Sequence, residues 1–381
     1  MKNKKFQKQN LRTWIEINQS ALKNNYNTFR SLIDPKCLLM AIVKSNAYGH
    51  SLIDFSRTVE NLKVDWLGVD SIVEAESLRK AGLKKPILVL GYTLQNKIKE
   101  AIKKNISLTV ADLPTLKSFK EIKNNKKLKI HIKIDTGMNR QGFFISEIPN
   151  VLKILKSQPN IILEGVYTHF SSAKNPSFPS TTLHQIEEFK KNIDLFELAG
   201  FKKFLKHAAA TSGTIIFPQS HFDLVRIGIG LYGLWPSKEI KEAFKNKIKL
   251  KPILSWKTII CQIKKIPKKS KIGYDLTETL SHASRVAILP IGYWHGFPRS
   301  LSNIGKILIH GNEAKVLGRV SMDMISVDIT DIKNVKIGDE AIIIGESNKS
   351  KISIDDMAYL SDTVNYEIVT RLNPLIKRII I

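Results

Sequence analysis

The chain has 381 residues, 43% of them hydrophobic, with 60 Lys and Arg against 34 Asp and Glu and a formal net charge of +26. That length suits two domains, or one large barrel with a smaller partner, and no apolar run approaches the roughly 18 residues a membrane span needs. Cys37 and Cys261 are the only cysteines; two such residues exclude a disulfide framework and a cysteine-rich zinc site, and suit a reducing cytoplasm. The basic surplus is scattered in singles and pairs, as in KKIPKKSK (264–271), without the interleaved aromatics of a nucleic-acid stacking platform. No nucleic-acid partner is therefore expected. The opening MKNKKFQKQN is basic, but no apolar stretch follows it, so it does not read as a secretory signal.

The first element, TWIEIN (13–18), has strand character, and Leu22, Tyr26, Phe29 and Ile33 then recur at helical spacing. Eight short apolar runs follow: CLLMAIV (37–43), VDWLGV (64–69), PILVL (86–90), ISLTV (106–110), LKIHIKI (128–134), IILEGVY (161–167), KFLKH (203–207) and FDLVRIG (222–228). Helical patterns separate them, the clearest being Leu183, Ile186, Phe189, Ile193 and Phe196. SIVE (71–74) reads as a capping box, and Asp112 with Pro114 as a second helix start. Runs that are continuously apolar mark a parallel sheet covered on both faces. Their number points to an α/β fold, a (β/α)8 barrel over residues 12–245.

Beyond residue 245 the runs ILSWKTIICQI, GKILIHG, AKVLGRV, MISVDIT and DEAIIIG are broken by Gly, Asn and Asp. They predict a smaller, mostly-β C-terminal domain over 246–381, with which the strand at 13–18 is free to pair.

Functional residues of a barrel sit at the C-terminal ends of its strands. Those ends carry Lys44 and Tyr48, then Lys133, Asp135 and Arg140, then His169, then His207 and Thr211, and last Arg226 and Gly228. Each has a dull alternative when taken singly. Lys44 could cap a strand at the solvent edge, His169 could be a hydrogen-bonded structural histidine, and Arg226 could pair with Asp223. Together they suit an anionic, planar, electrophilic ligand. A lysine amine in a dry, cationic mouth can form a Schiff base with an aldehyde. Backbone N–H groups of the RIGIG stretch can hold a phosphate. Both features fit pyridoxal 5′-phosphate.

Eight segments in order then carry a resemblance. They are AIVKSNAYGHS (41–51), KIDTGMNRQGF (133–143), GVYTHFSSA (165–173), DLVRIGIGLYG (223–233), GYD (273–275), LPIGYWHGFPR (289–299), GRVSMD (318–323) and TVNYE (363–367). With them the sequence closely resembles the alanine racemases, from about residue 13 onward. The resemblance implies a cytoplasmic, pyridoxal-phosphate-dependent homodimer with active sites shared between subunits, interconverting L- and D-alanine and so feeding peptidoglycan synthesis. It implies that Lys44 anchors the cofactor and acts as one catalytic base, with Tyr274 of the second subunit as the other. Arg226 would face the pyridine nitrogen, His169 would link Arg226 to Tyr274, and Arg140 would hold the substrate carboxylate. Lys133 matches a position often carbamylated in the family. Tyr48, Thr211, Gly228, Ile229 and Tyr366 match its phosphate cradle, and Tyr293 and Met322 its substrate entrance. No metal is implied.

Ala210 and Thr211 stand where the family often has asparagine and serine. Trp294 and His295 replace small and acidic residues at the entrance, and Asp275 replaces a frequent glycine. These departures keep a racemase of broader substrate range as an alternative. A decarboxylase of the same fold is the other; it would present an acid, not Arg226, to the ring nitrogen.

Overall fold

The computed structural model describes residues 10–121, 127–348 and 350–381. Two compact units share the chain. One comprises Ser20–Ala47 with Leu52–Pro252; the other comprises Tyr48–Ser51 and Ile253–Ile381 together with the described residues up to Gln19. A single boundary between 245 and 246 was the expectation. The crossing instead follows Pro252, and the chain lends four residues after Lys44's turn to the second unit.

The first strand, β1 (Thr13–Ile17), belongs to the second unit. The next eight are β2 (Leu38–Ile42), β3 (Trp66–Val69), β4 (Ile87–Val89), β5 (Ser107–Val110), β6 (Leu128–Lys133), β7 (Ile161–Tyr167), β8 (Leu205–His207) and β9 (Leu224–Ile227). They form one parallel sheet in the order β8-β7-β6-β5-β4-β3-β2-β9. A parallel bridge between Ala210 and Arg226 joins its two ends, making the barrel expected from the eight runs. β3, β4 and β9 are buried along their whole length, as a sheet enclosed by helices requires. Helix Gln19–Ser31 turns Leu22 and Phe29 inward, and helix Ser180–Leu198 does the same with Ile186, Phe189, Ile193 and Phe196. Leu183, counted with that apolar stripe in the sequence, is 40% exposed, while Thr182 and Gln185 around it are buried; the buried face passes to one side of it.

The second unit is built on β10 (Leu254–Ile259), β11 (Gln262–Ile266), β12 (Lys271–Ile272), β13 (Glu278–Thr279), β14 (Ser284–Leu289), β15 (Lys306–Ile309), β16 (Asn312–Leu317), β17 (Ile325–Asp328), β18 (Glu340–Ser347), β19 (Ser350–Ile352) and β20 (Lys377–Ile380). The main sheet runs β11-β14-β17-β16-β15-β18-β10-β1-β20. β10 alternates buried and half-buried positions, as an antiparallel strand with one solvated face does. β1 is buried at all five residues because it lies between β10, antiparallel, and β20, parallel.

Candidate active site

β2 ends at Ile42, and two residues later the backbone does something costly. Ser45, Asn46, Ala47 and Tyr48 all hold φ between 51 and 55°, a left-handed turn that costs roughly 1–2 kcal/mol per L-residue. Glu74 stabilises it. One carboxylate oxygen accepts from the N–H of Ser45 at 2.6 Å and of Asn46 at 3.4 Å, and the other accepts from Asp70 N–H at 2.9 Å. The Asn46 side chain accepts from Leu52 N–H at 2.8 Å, starting the next helix. The capping box expected at SIVE is thus only half formed. Ser71 Oγ accepts from Glu74 N–H at 3.3 Å, but the Glu74 carboxylate has turned away to the Lys44 loop. Lys44 itself opens this turn, with Nζ 3.4 Å from Asp70 Oδ1. With side chains 39% and 57% exposed, that pair is screened by solvent and holds the amine weakly.

Three more cations gather at the same end of the barrel. Lys133, the last residue of β6, is only 5% exposed. Burial, followed by the Arg140 and Arg226 guanidinium charges, lowers its pKa to about 8. Among the described residues no carboxylate pairs with it. Asp135 builds the loop that carries Arg140: its oxygens accept from the N–H groups of Gly137, Met138, Asn139 and Arg140 at 2.9–3.1 Å. Burial raises its pKa, but those four bonds outweigh burial and hold the carboxyl below its usual range.

Arg226, near the end of β9, is 3% exposed. It does not pair with Asp223, whose carboxylate accepts from Lys206 N–H instead. One Nη donates to His207 Nδ1 at 2.8 Å; the other donates to the carbonyls of Thr168 (2.7 Å) and Ala208 (2.8 Å) and approaches His169 Nδ1 at 3.3 Å. Burial lowers its pKa to about 10, so it stays charged at neutral pH. Burial and the cations Arg226, Arg140, Lys133 and Lys44 push His169 down to about 3. This histidine is neutral throughout the working range.

Thr211 opens helix Thr211–Ile216 and accepts through Oγ1 from Gly228 N–H at 3.1 Å. The N–H of Ile229 finds no acceptor among the described residues, and neither does Arg226 Nε–H. The mouth therefore offers unspent donors and four cations against three carboxylates, two of which, Glu74 and Asp135, are already tied to backbone N–H groups. That donor set fits the phosphate, the ring nitrogen and the aldehyde of pyridoxal 5′-phosphate.

In the second unit, Tyr48 and Tyr366 sit with ring centroids 6.2 Å apart. Burial pushes the Tyr48 phenol up to about 12 and raises that of Tyr366. Gly49 follows at φ +80°, and a Cβ there would lie 1.9 Å from Val369 O, so only glycine lets these two segments meet. Tyr274 is 70% exposed, in a turn where Asp275 takes φ 58°. Tyr293 N–H donates to Ser321 O and Trp294 N–H to Met322 O, at 3.1 and 3.0 Å, which sets the segments of Tyr293 and Met322 side by side. Both are exposed. His295 is different. It is 5% exposed, and its Nδ1 accepts from Gly292 N–H at 3.2 Å. It closes the turn from inside and leaves only Trp294 of that pair at the surface.

Sequence reasoning missed Glu74, His131 and Glu164. The signals for them were present but long-range: a glutamate five residues past the end of β3, a histidine within an apolar run, and a glutamate next to the glycine that faces this histidine on β7.

The chain matches the family models described as alanine racemase N-terminal domain over residues 17–236 and C-terminal domain over 253–380. It is 39% identical to an alanine racemase of Methanococcus maripaludis over 96% of this chain and 98% of that one. It is 38% identical to one of Leptospira interrogans, covering 97% and 96%. Among solved structures it resembles alanine racemase from Bacillus anthracis with bound L-Ala-P, with a TM-score of 0.92, 32% identity and coverage of 97% and 95%. It also resembles the Clostridium difficile 630 alanine racemase in complex with cycloserine, with a TM-score of 0.90, 32% identity and coverage of 97% and 96%.

Proposed function

Because the chain belongs to the alanine racemase family, we propose that it moves a proton between the two faces of the alanine Cα, with Lys44 acting on one face and Tyr274 of a second copy on the other. The family is pyridoxal-phosphate-dependent, and this cofactor supplies an aldehyde for a lysine amine and a conjugated ring that draws electron density from the substrate Cα. The observation that carries the reading is the convergence of Lys44, Lys133, Arg140 and Arg226 on one barrel mouth, felt together by His169.

Lys44 Nζ would hold the aldehyde and carry the proton on its face of the substrate Cα. Arg226, which cannot give up a proton at neutral pH, would donate to the ring nitrogen. Thr211, Gly228 and Ile229 would hold the phosphate. Arg140 orients the substrate carboxylate with its planar fork. With a pKa of about 8, Lys133 keeps a useful fraction of free amine near neutrality. We assign it as a carbamylation site, where the new negative charge would neutralise part of the cationic crowd around Arg140. The D-alanine formed would enter peptidoglycan synthesis in the cytoplasm.

The high exposure of Tyr274 supports a role completed by a second copy. Mixing Lys44→Ala with Tyr274→Phe protein tests this. Each alone should be inactive, and the mixture should regain L-alanine racemisation through dimers carrying one intact site. No recovery under confirmed subunit exchange would rule out the shared site.

A further inference from the structure

Inside the barrel runs a chain of polar side chains that the reaction above leaves without a role. Arg226 Nη1 lies 2.8 Å from His207 Nδ1, His207 Nε2 lies 2.9 Å from His131 Nδ1, and His131 Nε2 lies 3.4 Å from Glu164 Oε2. The chain crosses β9, β8, β6 and β7. His131 and His207 are completely buried. Burial, reinforced by the Arg226 charge, holds His207 well below its usual range, and burial holds His131 below its own against the opposing pull of Glu164, so each is neutral and carries a single N–H. Glu164 also accepts the Ser107 hydroxyl and lies 3.3 Å from Lys129 Nζ. Burial raises its pKa, but the contacts with His131, Ser107 and Lys129 prevail and keep it ionised.

The Arg226 end fixes the direction of the bonds that follow it, and Glu164 stands 3.4 Å from the last nitrogen, a contact outside hydrogen-bond geometry. A guanidinium only donates, so His207 Nδ1 accepts and its proton sits on Nε2. That N–H meets His131 Nδ1, which must accept, leaving the His131 proton on Nε2 toward a carboxylate that only accepts. Reversal at either end would set two N–H groups or two lone pairs against each other in a dry interior.

The backbone is shaped around this chain. The β6–β7 register shifts between Ile130 and His131, and a Cβ on Gly165 would lie 2.2 Å from His131 Nδ1. His207 stacks on Tyr167 with centroids 4.8 Å apart and planes 7° apart, and the Tyr167 hydroxyl lies 3.1 Å from Thr109 Oγ1. Branched apolar residues would fill a barrel interior at lower desolvation cost.

We infer that Glu164 and His131 are positioning residues: through His207 they lock the hydrogen-bond direction that orients Arg226 at the barrel mouth. The inference rests on the role of Arg226 in the proposed racemisation.

Histidine-labelled full-length protein, examined by 15N NMR without cofactor and then loaded with pyridoxal 5′-phosphate, reads the tautomers directly. Nε2–H is expected on both His131 and His207, and Nδ1–H on either would overturn the assignment. Glu164→Gln puts an amide donor within reach of His131 Nε2. Altered tautomers are expected, with a fall in kcat of about tenfold, the scale of one net hydrogen bond, and a KM for alanine within about twofold of wild type. Glu164→Asp keeps the carboxylate and should restore part of both. Altered tautomers with unchanged kcat, or reduced kcat with unaltered tautomers, would overturn the positioning role. If Glu164→Gln fails to fold, Ser107→Ala, which loosens Glu164 without reversing it, takes its place with a smaller expected fall. A wild type with the assigned tautomers but no racemisation would overturn the proposed reaction and the positioning role with it. An active enzyme with unmoved kcat removes the positioning role alone.

Discussion

Glu74→Ala is the sharpest test of how Lys44 is held. The left-handed turn at Ser45–Tyr48 contains no glycine, so its backbone cost is on the order of 4–8 kcal/mol over four residues. Glu74 ties that turn to the end of β3, accepting from Ser45 N–H at 2.6 Å and from Asp70 N–H at 2.9 Å. Hydrogen bonds to a charged acceptor are worth roughly 1.5–3 kcal/mol each, and partial solvation puts this pair near the bottom of the range, about 3 kcal/mol together. If that loss falls on the turn, the conformation presenting Lys44 becomes about a hundredfold rarer relative to its competitors. Cofactor titration followed by visible absorbance should show a fall in affinity approaching this factor, while the rest of the barrel stays folded by far-ultraviolet circular dichroism. Glu74→Gln should lie between, because its amide would face Asp70 N–H donor to donor. Wild-type cofactor affinity and wild-type kcat/KM in Glu74→Ala would refute the reasoning.

Gly49→Ala should lower the thermal midpoint and disturb the Tyr48–Tyr366 pair, since its Cβ would sit 1.9 Å from Val369 O at φ +80°; an unchanged midpoint would show that the two segments separate freely. The histidines at and below the mouth predict acid sensitivity: with folded pKa values below the unfolded value of 6.5, and half-buried His169 near 3, the unfolded chain takes up protons first as pH falls. For His169, stability present above about pH 6.5 should drop toward pH 3 by about 1.4 kcal/mol per pH unit. Urea midpoints of His169→Gln against wild type isolate one histidine, and parallel slopes would refute the assignment. Lys133 predicts the opposite end of the scale. Its folded pKa of about 8 against 10.5 means stability should rise with pH between those values, by about 3 kcal/mol in all. Lys133→Met, compared in carbon-dioxide-free buffer, should be more stable at neutral pH and lack that rise.

The barrel was legible because its strands are buried on both faces: runs such as PILVL and ISLTV need no partner in sequence to declare themselves. Lys44, Lys133, Arg140, His169 and Arg226 were legible as polar residues at the ends of those runs. What escaped was fixed by pairing across long separations. Nothing near Glu74 indicates that its carboxylate will serve residue 45 and not its own helix start. His131 looks out of place in LKIHIKI until Gly165, on the neighbouring strand, is seen to make room for its ring. His295, next to an exposed tryptophan in a surface motif, turns inward because a turn needs an acceptor for Gly292 N–H.

The position of β1 bears on how the chain is made. Trp14–Ile17 pair with Lys377–Ile380 on one side and with Leu254–Lys257 on the other, so the second unit's sheet closes around a segment synthesised more than two hundred residues before its neighbours. During translation that strand must wait, its edges unpaired, while the whole barrel sequence emerges. Such non-local closure is slow to fold. It also means that no single cut in the chain separates the two units: removing the first twenty residues would take from the unit that carries Tyr274 the strand that joins β20 to its sheet.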